Sequence, residues 1–269
     1  MTGFLARQEQ FAVVGSTNDV VRDWLAAGTP EVCLAVADEQ TSGRGREGRT
    51  WIAPAGGALL LSLGFRPTWL APDRVWRLAA AASLAMAEAA EHVAGLPERT
   101  IRLKWPNDLA LDTTDGVRKL AGVLGETDGL GGPDPRAIIG LGLNTDWAAD
   151  DFPPDLAESM ISLRELSSRR TIDHETLLDA FLRRLEASLA ALRSGRFELV
   201  AWADRQLTSG RHVELIAPGG AVTTVQARGV DPDTGALVVE DGSVPSGERH
   251  VVVGEIRHVR VSAGTGAGV

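Results

Sequence analysis

The chain has 269 residues, 27 basic against 36 acidic for a net charge of −9, with 44% hydrophobic and 23% charged residues. That is enough chain for one large domain or a large and a small one, and the composition excludes wholesale disorder. The acidic balance argues against a whole-surface nucleic-acid or anionic-membrane footprint while permitting a local basic pocket, and the single cysteine, Cys33, excludes a disulfide framework or a Cys-based metal cage.

The N-terminus lacks a basic segment followed by an apolar one, so no signal peptide is expected. A reducing cytoplasm is the expected location. Ser16-Thr17-Asn18-Asp19 reads as a helix start, with Val20, Val21, Trp24 and Leu25 on one face and Gly28 as the stop. Val32 to Ala37 is a continuous apolar run and reads as a buried strand. A polar loop, Asp38 to Thr50, separates it from a second buried strand, Ala58 to Phe65. Arg74 to Ala94 is helical and stops at Gly95; its most apolar stretch, Leu78 to Ala94, is too short and too charged to span a bilayer. Ile101 to Trp105 and Asp108 to Leu111 are short strands; Asp115-Gly116 is a hairpin turn, with Lys119 to Glu126 returning beside them. Ala137 to Leu143 is another buried strand, Asp173 to Leu192 an amphipathic helix, and Phe197 to Leu207 a shorter helix carrying Trp202. Beyond about residue 209 the period becomes two, in His212 to Ile216, Val222 to Val230, Ala236 to Glu240, Val251 to Val253 and Ile256 to Val261. Five short strands in such a span suggest a small β-barrel over 210–269, after a larger unit over 1–209.

Only two of the 27 basic residues are lysines, Lys104 and Lys119, and only three asparagines occur, Asn18, Asn107 and Asn144. An Arg-rich background replaces Lys where it can, so surviving lysines mark positions where a compact point charge is needed. All five fall in short motifs: STND, KWPND with the following KLAG, and GLGLN. The loop Gly43-Arg44-Gly45-Arg46-Glu47-Gly48-Arg49 combines glycines, which admit a close backbone approach, with arginines that hold carboxylate or phosphate. It suits an anionic ligand such as a nucleotide, but it is neither a P-loop nor a dinucleotide fingerprint, since no Gly-Lys-Ser/Thr follows and a strand comes next. Trp51 beside it either stacks on a purine or packs in the core. Lys104, Lys119 and Asp108 gather cations and a carboxylate at a turn, as acyl-phosphate chemistry requires; Asp108 either binds magnesium or sits by an incoming amine. The glycines before Asn144 either bare one strand face to a flat ligand or allow close strand–strand packing. The five histidines show neither metal spacing nor a triad partner.

Taken in order, STND, DEQTSGRGREGRTW, KWPNDL, KLAGVLGE and IIGLGLN resemble the biotin–protein ligases. The resemblance spans most of residues 15–145. It implies an α/β (α+β) catalytic core on a mixed sheet, related to class II aminoacyl-tRNA synthetases, followed by an SH3-like barrel. It implies a reaction in which biotin and MgATP give biotinoyl-5′-AMP and pyrophosphate, after which a lysine of a biotin carboxyl carrier domain takes the biotinoyl group. By motif, Ser16, Thr17, Gln40, Gly43, Arg44, Arg46, Lys119, Gly122, Gly140 and Gly142 are implied at the biotin site. Asn18, Arg46, Arg49, Trp51, Asn107, Lys119 and Asn144 are implied at the ATP site, with Lys119, Asp108 and Arg46 in the chemistry. A C-terminal arginine, Arg257 or Arg260, is implied to reach ATP. About 15 residues precede STND, too few for the DNA-binding domain of some bacterial members, so a repressor role and nucleic-acid or membrane partners are not expected. A weak or ligand-linked homodimer is compatible with the resemblance. Three rivals remain: a lipoate–protein ligase, a biotin or nucleotide sensor without turnover, and an RNA-binding module.

Overall fold

The computed structural model describes residues 4–106, 108–217, 219–252 and 255–258. Seven strands form a mixed sheet: β1 (Arg7–Val14), β2 (Cys33–Gln40), β3 (Ala58–Phe65), β4 (Arg102–Lys104), β5 (Asp108–Thr113), β6 (Gly116–Asp128) and β7 (Arg136–Asn144). Their spatial order is β1-β2-β3-β7-β6-β5-β4. Only β1 and β2 run parallel, joined by α1 (Thr17–Ala26); every other pair in the sheet is antiparallel. The sequence reading overlooked β1. Its segment RQEQFAVV is an edge strand whose residues alternate in exposure without being fully buried, so it lacks the apolar run that announces β2 and β3.

One face of the sheet carries the main core. Leu59, Leu61, Leu63 and Phe65 of β3 and Ile139, Leu141 and Leu143 of β7 pack with α2 (Trp76–Ala94) and α4 (His174–Arg193). The alanines of α2 let the two helices approach closely, and Gly95 ends α2 in left-handed backbone at φ 68°. The short α3 (Leu163–Leu166), which sequence reading did not foresee, and α5 (Leu199–Asp204) complete this layer. On the other face, Val21, Trp24 and Leu25 of α1 cover Cys33, Ala35 and Ile138. A Cβ at Gly64 would lie 2.5 Å from the Cys33 Sγ and 2.6 Å from Val21, so a glycine is needed for α1 to sit this low. The remainder of this face is the floor of a cleft.

The C-terminal strands β8 (His212–Ile216), β9 (Val222–Val230), β10 (Leu237–Glu240), β11 (Glu248–Val251) and β12 (Glu255–His258) form an antiparallel sheet in the order β11-β10-β9-β8-β12. They enclose a second apolar cluster around Val213, Leu237, Val239 and Ile256. Trp105, from the turn after β4, is inserted into that cluster and donates its indole N–H to the Gly235 carbonyl at 3.1 Å. The chain leading into this sheet is clasped to β4: Leu103 donates to the Arg205 carbonyl and accepts from Leu207 N–H. Among the described residues no helix is long and apolar enough to cross a membrane. The tail expected to fray, and the strand residues expected beyond His258, lie outside the described residues.

Candidate active site

The uncovered sheet face, the arginine loop and the entry to the C-terminal sheet surround a cavity of about 1200 Å³. Its floor is made by Gly140 and Gly142 of β7 and Gly122 of β6, where Gly122 pairs with Gly142. These glycines are needed for what lies on them. A Cβ at Gly140 would stand 2.2 Å from the Asn18 Oδ1, and one at Gly142 would stand 2.6 Å from the Trp51 indole. What lies on both glycines is neither a second strand nor bare backbone but the side chains of Asn18 and Trp51, which form the surface above the strands.

Over Gly140 sits an uncharged hydrogen-bonding cluster. The start of α1 brings Thr17 N–H to the Gln40 Oε1 at 2.7 Å and Thr17 Oγ1 to the same atom at 3.0 Å. Ser62 Oγ is 2.7 Å from Thr17 Oγ1 and 2.5 Å from Asn18 Oδ1. Asn18 Nδ2 donates to Glu126 at 2.7 Å. Ser16, Thr17, Asn18 and Ser62 are all buried.

Over Gly122 sits a charged cluster. Lys119 Nζ is 2.7 Å from Asp108 Oδ1, Lys104 Nζ is 3.7 Å from Asp108 Oδ2, and the Lys119 ammonium lies 5.4 Å from the Trp51 ring centroid. A β-bulge makes this possible. Asp108 pairs with Gly122 and Leu109 with Ala121, but Ala110 then pairs with Lys119, skipping Leu120. Without the extra residue, strand alternation would turn Lys119 to the opposite face from Gly122. The backbone freed at the bulge is paired elsewhere: Lys119 N–H donates to Ser159 O at 2.7 Å, and Lys119 O accepts from Ile161 N–H at 2.9 Å.

The loop over the cleft folds back on itself, with Gly45 N–H donating to Arg49 O and Trp51 N–H to Gly43 O. Arg46 and Arg49 line the cavity. Arg44 is held bidentately by Asp19 at 2.7 and 2.9 Å and lies 3.5 Å from Glu126. The Arg44 guanidinium in turn holds the Asp19 carboxyl below the usual carboxylate range.

A family model described as the biotin/lipoate A/B protein ligase family matches residues 10–144. A biotin–[acetyl-CoA-carboxylase] ligase of Mycobacterium tuberculosis is 34% identical, over 93% of this chain and 88% of its own length. This chain belongs to the biotin/lipoate A/B protein ligase family. A bifunctional ligase/repressor BirA of Escherichia coli is 30% identical over 86% of this chain and 69% of its own. In fold, the chain resembles a biotin protein ligase from Aquifex aeolicus solved with biotin and ATP, with a TM-score of 0.76 at 23% identity, covering 94% of this chain and 99% of that one.

For a ligase of this family, the cavity gathers most of the residues expected from sequence: Ser16, Thr17, Asn18, Gln40, Arg44, Arg46, Arg49, Trp51, Asp108, Lys119, Gly122, Gly140 and Gly142 all line it. Two do not. Gly43 supports the loop from behind, where a Cβ would meet the Trp51 carbonyl at 2.5 Å. Asn144 is fully buried at the end of β7 and donates to the Ile161 carbonyl at 3.1 Å. Asn107 and Arg260 lie outside the described residues, as does the Arg257 side chain. Of the C-terminal segment's described residues, Arg211 reaches the wall, where it pairs with Asp112. The donors around Asp108 do not fit a magnesium ion held by protein alone. Two ammonium groups flank its carboxylate, and among the described residues no group of three His, Cys, Asp or Glu side chains could hold a metal. Sequence reading missed Ser62, Glu126 and Asp19. A lone serine inside the run ALLLSLGF was a usable signal for the first; the two carboxylates reveal themselves only through their partners in space.

Proposed function

We infer that this chain is a biotin–protein ligase that condenses biotin with MgATP to biotinoyl-5′-AMP and passes the biotinoyl group to a lysine of a biotin carboxyl carrier domain. The observation that carries this reading is the two-ended cleft of a chain in this family. An uncharged cluster stands over Gly140 and an ammonium over Gly122, whose partner Gly142 is two residues, roughly 7 Å, along β7. An acid with a neutral polar head and a carboxylate tail matches that order.

In the first step a biotin carboxylate oxygen attacks the α-phosphorus and the bond to pyrophosphate breaks. Two anions must be held in contact; Lys119 from the floor and Arg46 and Arg49 from the loop supply the opposing charge. To reach the carboxylate, Lys119 exchanges part of its contact with Asp108, leaving Asp108 to Lys104. In the second step the neutral amine of the carrier lysine attacks the carbonyl carbon, the bond to the AMP oxygen breaks, and the amine's surplus proton passes to solvent; Asp108 orients that amine. The mixed anhydride reacts with water, so the loop must cover it until the carrier arrives. Magnesium, as part of the MgATP substrate, would supply positive charge to the polyphosphate.

The same reading assigns residues 1–209 to a catalytic unit of the class II synthetase type and 210–269 to an SH3-like barrel, with the cytoplasm as the place of work. The Arg211 wall and the five-stranded C-terminal sheet support that division. The test is ATP–pyrophosphate exchange with biotin or lipoate as the acid, followed by label transfer to a carrier domain. Exchange driven by biotin, with transfer, is expected. Exchange driven by lipoate instead, or biotin binding without exchange, refutes the assignment.

A further inference from the structure

We propose that Glu126, which does not line the cleft, is a positioning residue that sets the hydrogen-bond polarity of the neutral-head subsite; the proposal rests on the ligase reading above. Glu126 leaves β6 beside α1, where one carboxylate oxygen accepts from Asn18 Nδ2 and from Arg22 Nη2, both at 2.7 Å. The other oxygen lies 3.5 Å from Arg44 of the loop. A carboxylate between guanidinium groups accepts hydrogen bonds and donates none. The Asn18 carboxamide must therefore turn its Nδ2 outward to Glu126 and its Oδ1 inward to Ser62.

The rest of the cluster follows by counting protons. Asn18 Oδ1 can only accept, so the single Ser62 hydroxyl proton is committed to the 2.5 Å contact with it. The Thr17 proton is then the only one left for both the 2.7 Å contact to Ser62 Oγ and the 3.0 Å contact to Gln40 Oε1, and it is shared between them. Thr17 keeps its lone pairs for the cleft. Gln40 Oε1 is held by Thr17 N–H at 2.7 Å, which leaves Gln40 Nε2 as a donor. An arriving head meets an acceptor beside a donor, the complement of a cyclic urea with its N–H beside its C=O. Without an obligate acceptor at position 126, the Asn18 carboxamide is free to turn over. Nδ2 would then face Ser62, the Ser62 proton would turn to Thr17, and one of the two Thr17 lone pairs would be taken from the cleft. Gly140 belongs to the same device, since no Cβ fits under Asn18 Oδ1.

The experiment is steady-state, biotin-dependent ATP–pyrophosphate exchange with the full chain. Glu126→Met removes the acceptor, Glu126→Gln keeps one acceptor atom, and Arg22→Gln removes a charged neighbour but not the contact to Asn18. The expected result is a KM for biotin raised about tenfold in Glu126→Met, the size of one lost hydrogen bond in a buried site. Glu126→Gln should fall between it and wild type, and Arg22→Gln should stay within about twofold of wild type by the same scale. In all three, kcat and the KM for ATP are expected to remain near wild type. An unchanged KM for biotin in Glu126→Met, or an equal change in Arg22→Gln, overturns the proposal. Should Glu126→Met fail to fold, Ser62→Ala breaks the relay at its middle and must show the same rise; an unaltered KM there overturns it equally. A wild-type protein whose exchange ignores biotin refutes the ligase reading itself, and the role of Glu126 falls with it.

Discussion

The ion pair between Glu91 and Arg205 offers a demanding test of how the chain entering the C-terminal sheet is held. Glu91 on α2 is 3% exposed and Arg205 is 5% exposed. Arg205 donates to both Glu91 oxygens, at 2.8 and 2.9 Å, and to the Ile101 carbonyl at 2.9 Å. Glu91 also accepts from the Ile101 N–H at 2.8 Å. Glu91→Leu strands a buried guanidinium and a buried N–H together. Breaking a buried pair costs about 3–5 kcal/mol and an orphaned amide about 1–3, overlapping because the groups share one environment. We expect a loss of about 5 kcal/mol, which at about 2 °C per kcal/mol for a chain of this length is a Tm lower by about 10 °C. The double variant Glu91→Leu/Arg205→Met removes both charges and should recover at least about half of that loss, because two apolar groups demand no partner. Thermal unfolding followed by circular dichroism measures both. A single variant within about 3 °C of wild type, or a double variant no better than the single, would show that the pair relaxes into solvent and that the clasp is not held electrostatically.

Burial pushes the His174 ring below its usual pKa, against the pull of Asp146, Asp38 and Asp173, and its Nε2 lies 2.6 Å from the Thr145 hydroxyl. The unfolded chain therefore binds a proton that the folded chain refuses, and stability present above the ordinary histidine value of about 6.5 falls as the pH drops below it. Tm measured from pH 8 to 5 should decline below about 6.5, and His174→Gln should flatten that decline; Asp19, whose pKa is lowered, contributes only in more acidic solution. Asp19→Asn should leave Tm within about 2 °C, since exposed pairs contribute less than about 1 kcal/mol, yet trypsin should cut the arginine loop about threefold faster once Arg44 loses its bidentate partner. An unchanged cleavage rate would mean that Asp19 does not restrain the loop. Gly142→Ala places a methyl group within 2.6–2.8 Å of three Trp51 atoms and should cost about 2 kcal/mol of overpacking, read as biotin-dependent exchange falling about thirtyfold at subsaturating biotin. Activity equal to wild type would show that the indole moves away freely.

Several features were legible in the amino-acid sequence because they depend on neighbours along the chain. β3 covers the span read for it, apolar apart from Ser62, α2 stops at Gly95, and the period-two strands begin near residue 212. The scarcity of lysine and asparagine pointed to the motifs that line the cleft, and their order carried the family resemblance. Tertiary structure decided the rest. By strand parity alone Lys119 and Gly122 belong on opposite faces; the bulge at Leu120, stabilised by backbone contacts to Ser159 and Ile161, brings the ammonium to Asp108. Alternate glycines in GLGLN signal a bare strand face, but only packing shows that Asn18 and Trp51 occupy it. Glu126 closes a motif without a visible role, and its partners come from α1 and the loop, so its influence depends on contacts between groups far apart in the chain. Local periodicity records which face a residue prefers; the donor, acceptor or charge it meets there is set by how distant segments pack.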